Sequence, residues 1–311
     1  MPEPKLAVAV VADEWSSIRR LVDCLREQDA ASQLELVVAA PAAASFELPE
    51  LPELARTSVV ALDSVDPLPA ARAAAVRAAG APYVFVAETH TLPRADWARA
   101  TIAAHEQGAG VVVPAIGNGN PDDAVSWACL VIDYGRWLPS GARREVDEVP
   151  GYNTSYRRDA LLGLGDDLDR ILEQETGLAA ELKRRGETIV FEPSARVDHL
   201  NISRRLPWIR DSFLAGRVLA TMRIDRWSPA RRAVYFAGSP LIPFVLLWRL
   251  REHLRSQPRL PLALAAVATA MAAGEMSGYA APAGDAERRR MVDNELRREP
   301  LLAAAATRRS R

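Results

Sequence analysis

Gly151-Tyr152-Asn153-Thr154-Ser155-Tyr156-Arg157-Arg158, then Gln174-Glu175-Thr176-Gly177-Leu178, then Gly186, Phe191-Glu192-Pro193 and Val197-Asp198-His199 follow one another through the middle of the chain. The first block reads as a loop presenting polar groups. The second opens an amphipathic helix with an acid at its start. Residues 189–192 read as a strand, and His199 stands beyond that strand's far end. This order can set a carboxylate and an imidazole at one mouth of an α/β sheet.

Toward the N-terminus the chain alternates between short apolar runs and helical periodicity. Residues 6–11 are Val-rich, which suits a buried parallel strand. Ser16-Ser17 can cap the next segment, where Ile18, Leu21, Val22 and Leu25 fall at helical spacing. Strands are expected at 34–40, 58–62, 83–87 and 111–113. Helices are expected at 70–79, ended by Gly80, and at 97–107, ended by Gly108. Repeated β-α-β units call for a mostly parallel sheet covered by helices on both faces. Ligands of such sheets bind outside the carboxyl ends of the strands, where Glu88-Thr89-His90 sits. Further along, 118–123 is a turn cluster, 125–132 a strand or short helix, 136–150 an exposed loop and 168–185 a long helix.

Composition narrows the function. Over 311 residues the charges nearly cancel, at net −1, so no global field favours nucleic acid. Cys24 and Cys129 lie in apolar stretches without companion ligands and read as buried thiols of a reducing compartment. The start, Met1-Pro2-Glu3-Pro4-Lys5, lacks the basic residues and long apolar run of a secretory signal, so secretion is not expected. No Gly-x-Gly-x-x-Gly follows the first strand, which argues against a dinucleotide oxidoreductase. A Walker loop and a Gly-x-Ser-x-Gly elbow are also absent from the sequence.

Glu88 and His90, two residues apart past a buried strand, can both point into the cleft and hold Mn2+ or Mg2+. By spacing alone the signal is weak, since Glu-x-His recurs by chance, and a solvated loop acid with a loop histidine is the preferred reading until context is added. Glu175 has two readings as well: a general base, or a helix-start acid favoured by the dipole. His199 is either a diphosphate or metal neighbour or a structural histidine. Trp127 can stack on an acceptor ring, although a core position suits it too.

Residues 5–204 resemble a family 2 glycosyltransferase with the GT-A fold. The resemblance rests on the Ala-rich helix, the following strand, Glu88-Thr89-His90, Pro93 and Trp97. The family has an Asp-x-Asp-type motif at this point; here Glu88 and His90 take the two acid positions. Gly151-x-Asn153-x-Ser155-x-Arg157-Arg158 is similar to the family's acceptor loop. Counting back from Gly186 through Leu182 and Leu178 sets Glu175 where the family's catalytic Asp lies, with Gln174 at the preceding acid. A histidine at the place of His199 often faces the donor diphosphate or its metal.

The resemblance implies inverting transfer of a sugar from a nucleotide-sugar to an acceptor hydroxyl, with Glu175 as base and a divalent cation at Glu88, His90 and His199. Donor contacts fall to Asp13, Asp63, Arg72 and Glu88, and acceptor or phosphate contacts to Asn153, Arg157 and Trp127. The acceptor would be a glycan, a lipid-linked molecule or a small molecule, and nucleic acid is not a partner. The rival reading is a catalytically degenerate GT-A-like domain that binds a sugar or nucleotide or scaffolds a membrane complex.

The expected organisation is a GT-A-like domain over 1–205, a helical and membrane-associated extension over 206–284, and a basic, partly disordered tail over 285–311. Residues 233–250 and 260–273 are apolar but shorter than the ~20 residues of an upright span. Flanking Arg231, Arg232, Trp248, Arg249 and Arg251 suit a segment at the membrane interface. The segment Gly274-Glu275-Met276-Ser277-Gly278-Tyr279 resembles the tail of some bacterial family members, which is usually membrane-associated. A cytoplasmic location on the inner face of the cell membrane follows as the expectation.

Overall fold

The computed structural model describes residues 3–44, 46–172, 175–224, 227–251 and 260–303; of Ala44, Glu175 and Thr176 only the backbone is described. The chain parts into two compact units, Met1–Gly119 with Arg136–Leu200, and Asn120–Gly135 with Asn201–Arg311.

The first unit is a mixed α/β fold around one nine-stranded sheet. Its elements begin β1 (Leu6–Val11), α1 (Trp15–Arg26), β2 (Leu34–Pro41), β3 (Arg56–Leu62), α2 (Leu68–Ala78), β4 (Tyr83–Val86), β5 (Thr91–Pro93), α3 (Trp97–Glu106) and β6 (Val111–Asn118). After α4 (Ala124–Tyr134), which belongs to the second unit, come β7 (Arg144–Glu145), β8 (Thr154–Arg157), α5 (Arg158–Leu162), α6 (Leu168–Leu172), α7 (Glu175–Arg184) and β9 (Ile189–His199). The strand order is β3-β2-β1-β4-β8-β6-β9-β5, with β7 paired to β9. Every residue of β1 is buried, as an apolar run covered on both faces requires. In α1 the buried side chains are Ile18, Leu21, Val22 and Leu25, one stripe of a 3.6-residue period.

Most of the paired length is parallel, and β8 is the main exception. It lies antiparallel between β4 and β6, in the middle of the sheet. Residues 154–157 are thus a central strand and not part of an exposed polar loop. Its polar side chains are tolerated because they are bonded: Ser155 Oγ meets His105 Nε2 at 2.8 Å. β9 continues through Pro193 to His199, whereas the sequence pattern suggested a stop at Glu192. The irregularity lies in β9 itself: consecutive Pro114 and Ala115 of β6 face Glu192 and Arg196, so residues 193–195 are extra in the register. Proline cannot donate to a ladder, and a bulge absorbs that loss.

Smaller differences have similar local causes. α1 starts at Trp15, with no side-chain cap; Ser17 Oγ instead donates to Glu14 O at 2.8 Å. The single long helix expected over 168–185 is represented by α6 and α7, with 173–174 outside the described residues. Gly186, at φ 88°, supplies the left-handed turn after α7.

The second unit is helical: α4, α8 (Arg205–Ile224), α9 (Pro229–Gly238), α10 (Ile242–Arg249), α11 (Leu260–Ala280) and α12 (Asp285–Leu296). Residues 125–132 resolve as helix, started by Asp123, whose Oδ1 accepts from Val125 N at 2.6 Å. α11 runs past the expected end at 273. It is long and apolar enough, by length and composition, to cross a membrane. A Cβ on Gly216 would strike Met271 O, and one on Gly274 or Gly278 would strike the backbone of Phe213 or Arg217, so α8 and α11 touch through glycine. Within the tail expected over 285–311, residues 285–296 form α12, opened by Gly284 N donating to Glu287 Oε2 at 2.9 Å.

Candidate functional site

Glu88 follows β4 at the carboxyl edge of the sheet, and His90 leads into β5. β5 pairs with the end of β9, where Thr91 lies opposite His199. His199 also faces Asn118, the last residue of β6. Three side chains from two distant segments, 88–90 and 199, therefore meet at one edge. Glu88 Oε2 lies 3.2 Å from His199 Nε2 and 3.9 Å from His90 Nε2. The two imidazoles meet edge to face, with centroids 4.6 Å apart. Glu88, His90 and His199 are only 6, 3 and 1% exposed.

Asn153 completes the arrangement. Its Nδ2 donates to Glu88 Oε2 at 2.5 Å, and its Oδ1 accepts from Glu88 N at 3.3 Å. Thr91 Oγ1 also donates to Asn153 Oδ1. Asn153 N reaches Val86 O at 2.8 Å. This clasp needs a left-handed backbone, and Asn153 has φ 58°. Asparagine tolerates that region better than most residues with a Cβ. The side chain is fully buried, so it orients Glu88 and does not reach out toward an acceptor.

The donor set fits a divalent cation. One ligand atom each from Glu88, His90 and His199 lie within 4.8 Å of one another. Ligand atoms about 2.1 Å from a metal stand roughly 3 to 4 Å apart, which the two measured separations approach. Two imidazoles and one carboxylate suit Mn2+ or another transition ion better than Mg2+, which favours oxygen. An acid neighbour that fixes a ligand is the usual task of the groups around a metal; here an amide does it for the carboxylate.

The other candidates are placed elsewhere or differently. Asp13 follows β1, next to β4 in the sheet, while Asp63 is exposed after β3, the outermost strand on that side. Arg72 is buried in α2, with its guanidinium 3.5 Å from the centre of the Tyr152 ring, so it braces the residue before Asn153. Arg157 is a correction. β8 is antiparallel to β4 and pairs Arg157 with Tyr83, at the opposite edge from Glu88. There it bonds Asp159 and Glu187, each at 3.3 Å, and it does not join Asn153 at a phosphate or acceptor site. Trp127 lies in α4 of the second unit and donates through Nε1 to Pro121 O at 2.9 Å. Glu175 is the first residue of α7; its side chain and all of Gln174 lie outside the described residues.

Sequence reasoning passed over Thr91, and it read Asn153 as a contact to sugar hydroxyls or a brace of its own loop, not as the partner of Glu88. A signal existed in the Glu-Thr-His-Thr run, whose second threonine follows the histidine into β5. His105, the other buried histidine of this unit, is structural. It bonds Ala109 O and Ser155 Oγ, each at 2.8 Å, and stacks on Tyr83. Burial pushes its pKa down to about 4.

No family model matches the chain, and no curated protein does. One of the solved structures that match is GalNAc-T7 with UDP, GalNAc and Mn2+, at TM-score 0.47 and 15% identity over 64% of this chain. The match spans 44% of that protein's chain, less than half of its length.

Proposed function

We propose that the chain is a GT-A-like glycosyltransferase of the family 2 type. It moves a sugar from a nucleotide-sugar to an acceptor hydroxyl with inversion at the anomeric carbon. The supporting observation is the convergence of Glu88, His90 and His199 at the carboxyl edge of a mostly parallel α/β sheet, the edge at which such sheets bind ligands. These three residues would hold a divalent cation, which when bound would neutralise the diphosphate leaving group. Asn153 and Thr91 fix the Glu88 carboxylate. Asp13, beside β4, belongs to the donor side, with Asp63 more remote. Glu175 takes the acceptor proton as the hydroxyl oxygen attacks and the bond from the anomeric carbon to the diphosphate breaks. The acceptor is a glycan, a lipid-linked molecule or a small molecule, used at the cytoplasmic face of the cell membrane.

The test is a panel of nucleotide-sugars with purified protein and Mn2+ or Mg2+, following nucleoside diphosphate release. Wild type is expected to release diphosphate from at least one donor, and Glu88→Gln and Glu175→Gln to release almost none while melting normally. A nucleoside diphosphate with Mn2+ raises the melting temperature of wild type, because it binds the folded form. Absence of both release and stabilisation sinks the transferase reading in favour of a scaffold. Full activity in folded Glu175→Gln removes the base assignment alone.

A further inference from the structure

α9 and α10 pack on α11 but, among the described residues, keep a large apolar face exposed. Neither contains a buried residue. Leu241, Phe244, Val245 and Trp248 are 62, 71, 45 and 65% exposed. Their spacing is i, i+3, i+4, i+7, which puts side chains on one helix face. In a helix packed on a core that stripe is the hidden one; here it is the open one. α9 adds Val234, at 68% exposure, with Tyr235 and Phe236 beside it. Single exposed apolar residues are ordinary, but a whole stripe of large ones marks an interaction surface.

Charge selects the occupant. Arg231, Arg232, Arg249 and Arg251 are the charged residues between 229 and 251, and no acid stands among them. Arg231 lies over the Trp227 ring at 4.4 Å, and Arg251 over Trp248 at 4.6 Å. Arginine beside tryptophan at the end of an apolar stripe matches the boundary between lipid headgroups and acyl chains. A second copy of the same face would set like charges together, whereas an anionic bilayer answers them.

α11 has a different task. Its Glu275 is 7% exposed and is paired with Arg223 Nη1 at 3.0 Å and Tyr279 OH at 2.9 Å. Leu264, Val267, Ala268 and Tyr279 are buried. Arg232 of α9 donates to Tyr279 O and, at 2.8 Å, to Ala280 O, which ties α9 to the end of α11. The helix with the composition of a span is thus occupied on one face as a packing platform, by glycine contacts and by the pairing of its buried Glu275 with the half-buried Arg223.

We propose that α9 and α10 form an in-plane membrane-docking element. It sinks Leu241, Phe244, Val245 and Trp248 into an anionic lipid surface while α11 stays within the protein. This stands independently of the transferase reading, since it uses only the second unit.

The experiment floats the purified full chain with vesicles of phosphatidylcholine alone and of phosphatidylcholine mixed with phosphatidylglycerol. Wild type is expected to float with the anionic vesicles only. Phe244→Glu/Trp248→Glu, at exposed positions, keeps the wild-type melting temperature and binds at least ~10-fold more weakly. Arg249→Gln/Arg251→Gln loses the preference for anionic lipid. Alkaline carbonate strips wild type from cell membranes. The proposal falls if wild type floats with neither vesicle, or if the Phe244/Trp248 variant binds like wild type. Retention through carbonate would identify α11 as a span and overturn the in-plane arrangement. A wild-type dimer that the Phe244/Trp248 variant converts to monomer, without vesicle binding, would assign the face to a second copy.

Discussion

Glu35, at the amino edge of the sheet, accepts hydrogen bonds from Gly80 N and Ala81 N at 2.8 Å each and faces Arg56 Nε at 3.5 Å; Glu88, at the carboxyl edge, is met by Asn153 Nδ2 and the imidazoles of His90 and His199. Both carboxylates are buried in one unit, and burial of a charge requires partners in either case. At the amino edge the partners are main-chain amides and a guanidinium, which complete the charge balance within the protein. Arg157 is likewise consumed there by Asp159 and Glu187. At the carboxyl edge two of the partners are imidazoles, themselves metal ligands, and a cation fits among them. The same residue type is therefore a brace at one end of the strands and a candidate ligand at the other.

Substitutions can break this contrast. Glu88→Gln is expected to reduce diphosphate release roughly 10³-fold and to abolish stabilisation by Mn2+, because an amide binds the cation weakly. A variant that keeps metal-dependent melting would end the metal-site reading. Glu35→Gln should behave in the opposite way. It costs about 1 to 3 kcal/mol in urea denaturation, because the buried carboxylate that accepts from two main-chain amides is lost, and leaves metal stabilisation intact. If the two variants gave the same pair of results, the edges would not differ as described.

Asn153 sharpens the comparison. Asn153→Gly keeps the left-handed backbone and removes the amide, and should weaken Mn2+ about 10- to 100-fold. Asn153→Ala adds backbone strain and should also lower the melting temperature. Equal metal affinity in wild type and the glycine variant would remove the orienting role.

His105 separates a structural histidine from the cluster by pH. Burial is the chief cause of its lowered pKa of about 4, with Arg157 adding to the shift and Ala109 O opposing it. The unfolded chain takes up a proton below about pH 6.5 and the folded chain does not until about pH 4. Its stabilising contribution is therefore complete above the unfolded value and is lost as pH falls through that window. The slope approaches about 1.4 kcal/mol per pH unit at most. Urea midpoints between pH 7 and 4.5 should fall less steeply in His105→Gln. The smallest effect belongs to Arg157→Ala, which should change diphosphate release less than about 2-fold and stability by no more than about 1 kcal/mol. A large loss of release would return Arg157 to the site.

The alternation of strand and helix up to β6 was legible in the sequence, because it is written in local runs such as 6–11 and in the stripe of α1. Glu88, His90 and His199 could also be named from their order along the chain. What stayed hidden was β8, since Thr154, Ser155 and Asn153 carry the chemistry of a turn and become interior only through partners supplied by other strands. Arg157 was misplaced for the same reason: the direction of a strand is set by its neighbours and not by its own residues.

The sequence by itself determined the α/β class, the near-neutral charge, and an apolar, arginine-flanked C-terminal third, all of which follow from composition and short periods. Only the tertiary structure decided which side chains share an edge and which apolar helices are covered. It joined β5 to the end of β9 so that His199 reaches Glu88, gave Asn153 to the carboxylate, and buried one face of α11 while leaving the stripe of α10 open. Register and burial depend on contacts between residues far apart in the chain, and no local pattern specifies them.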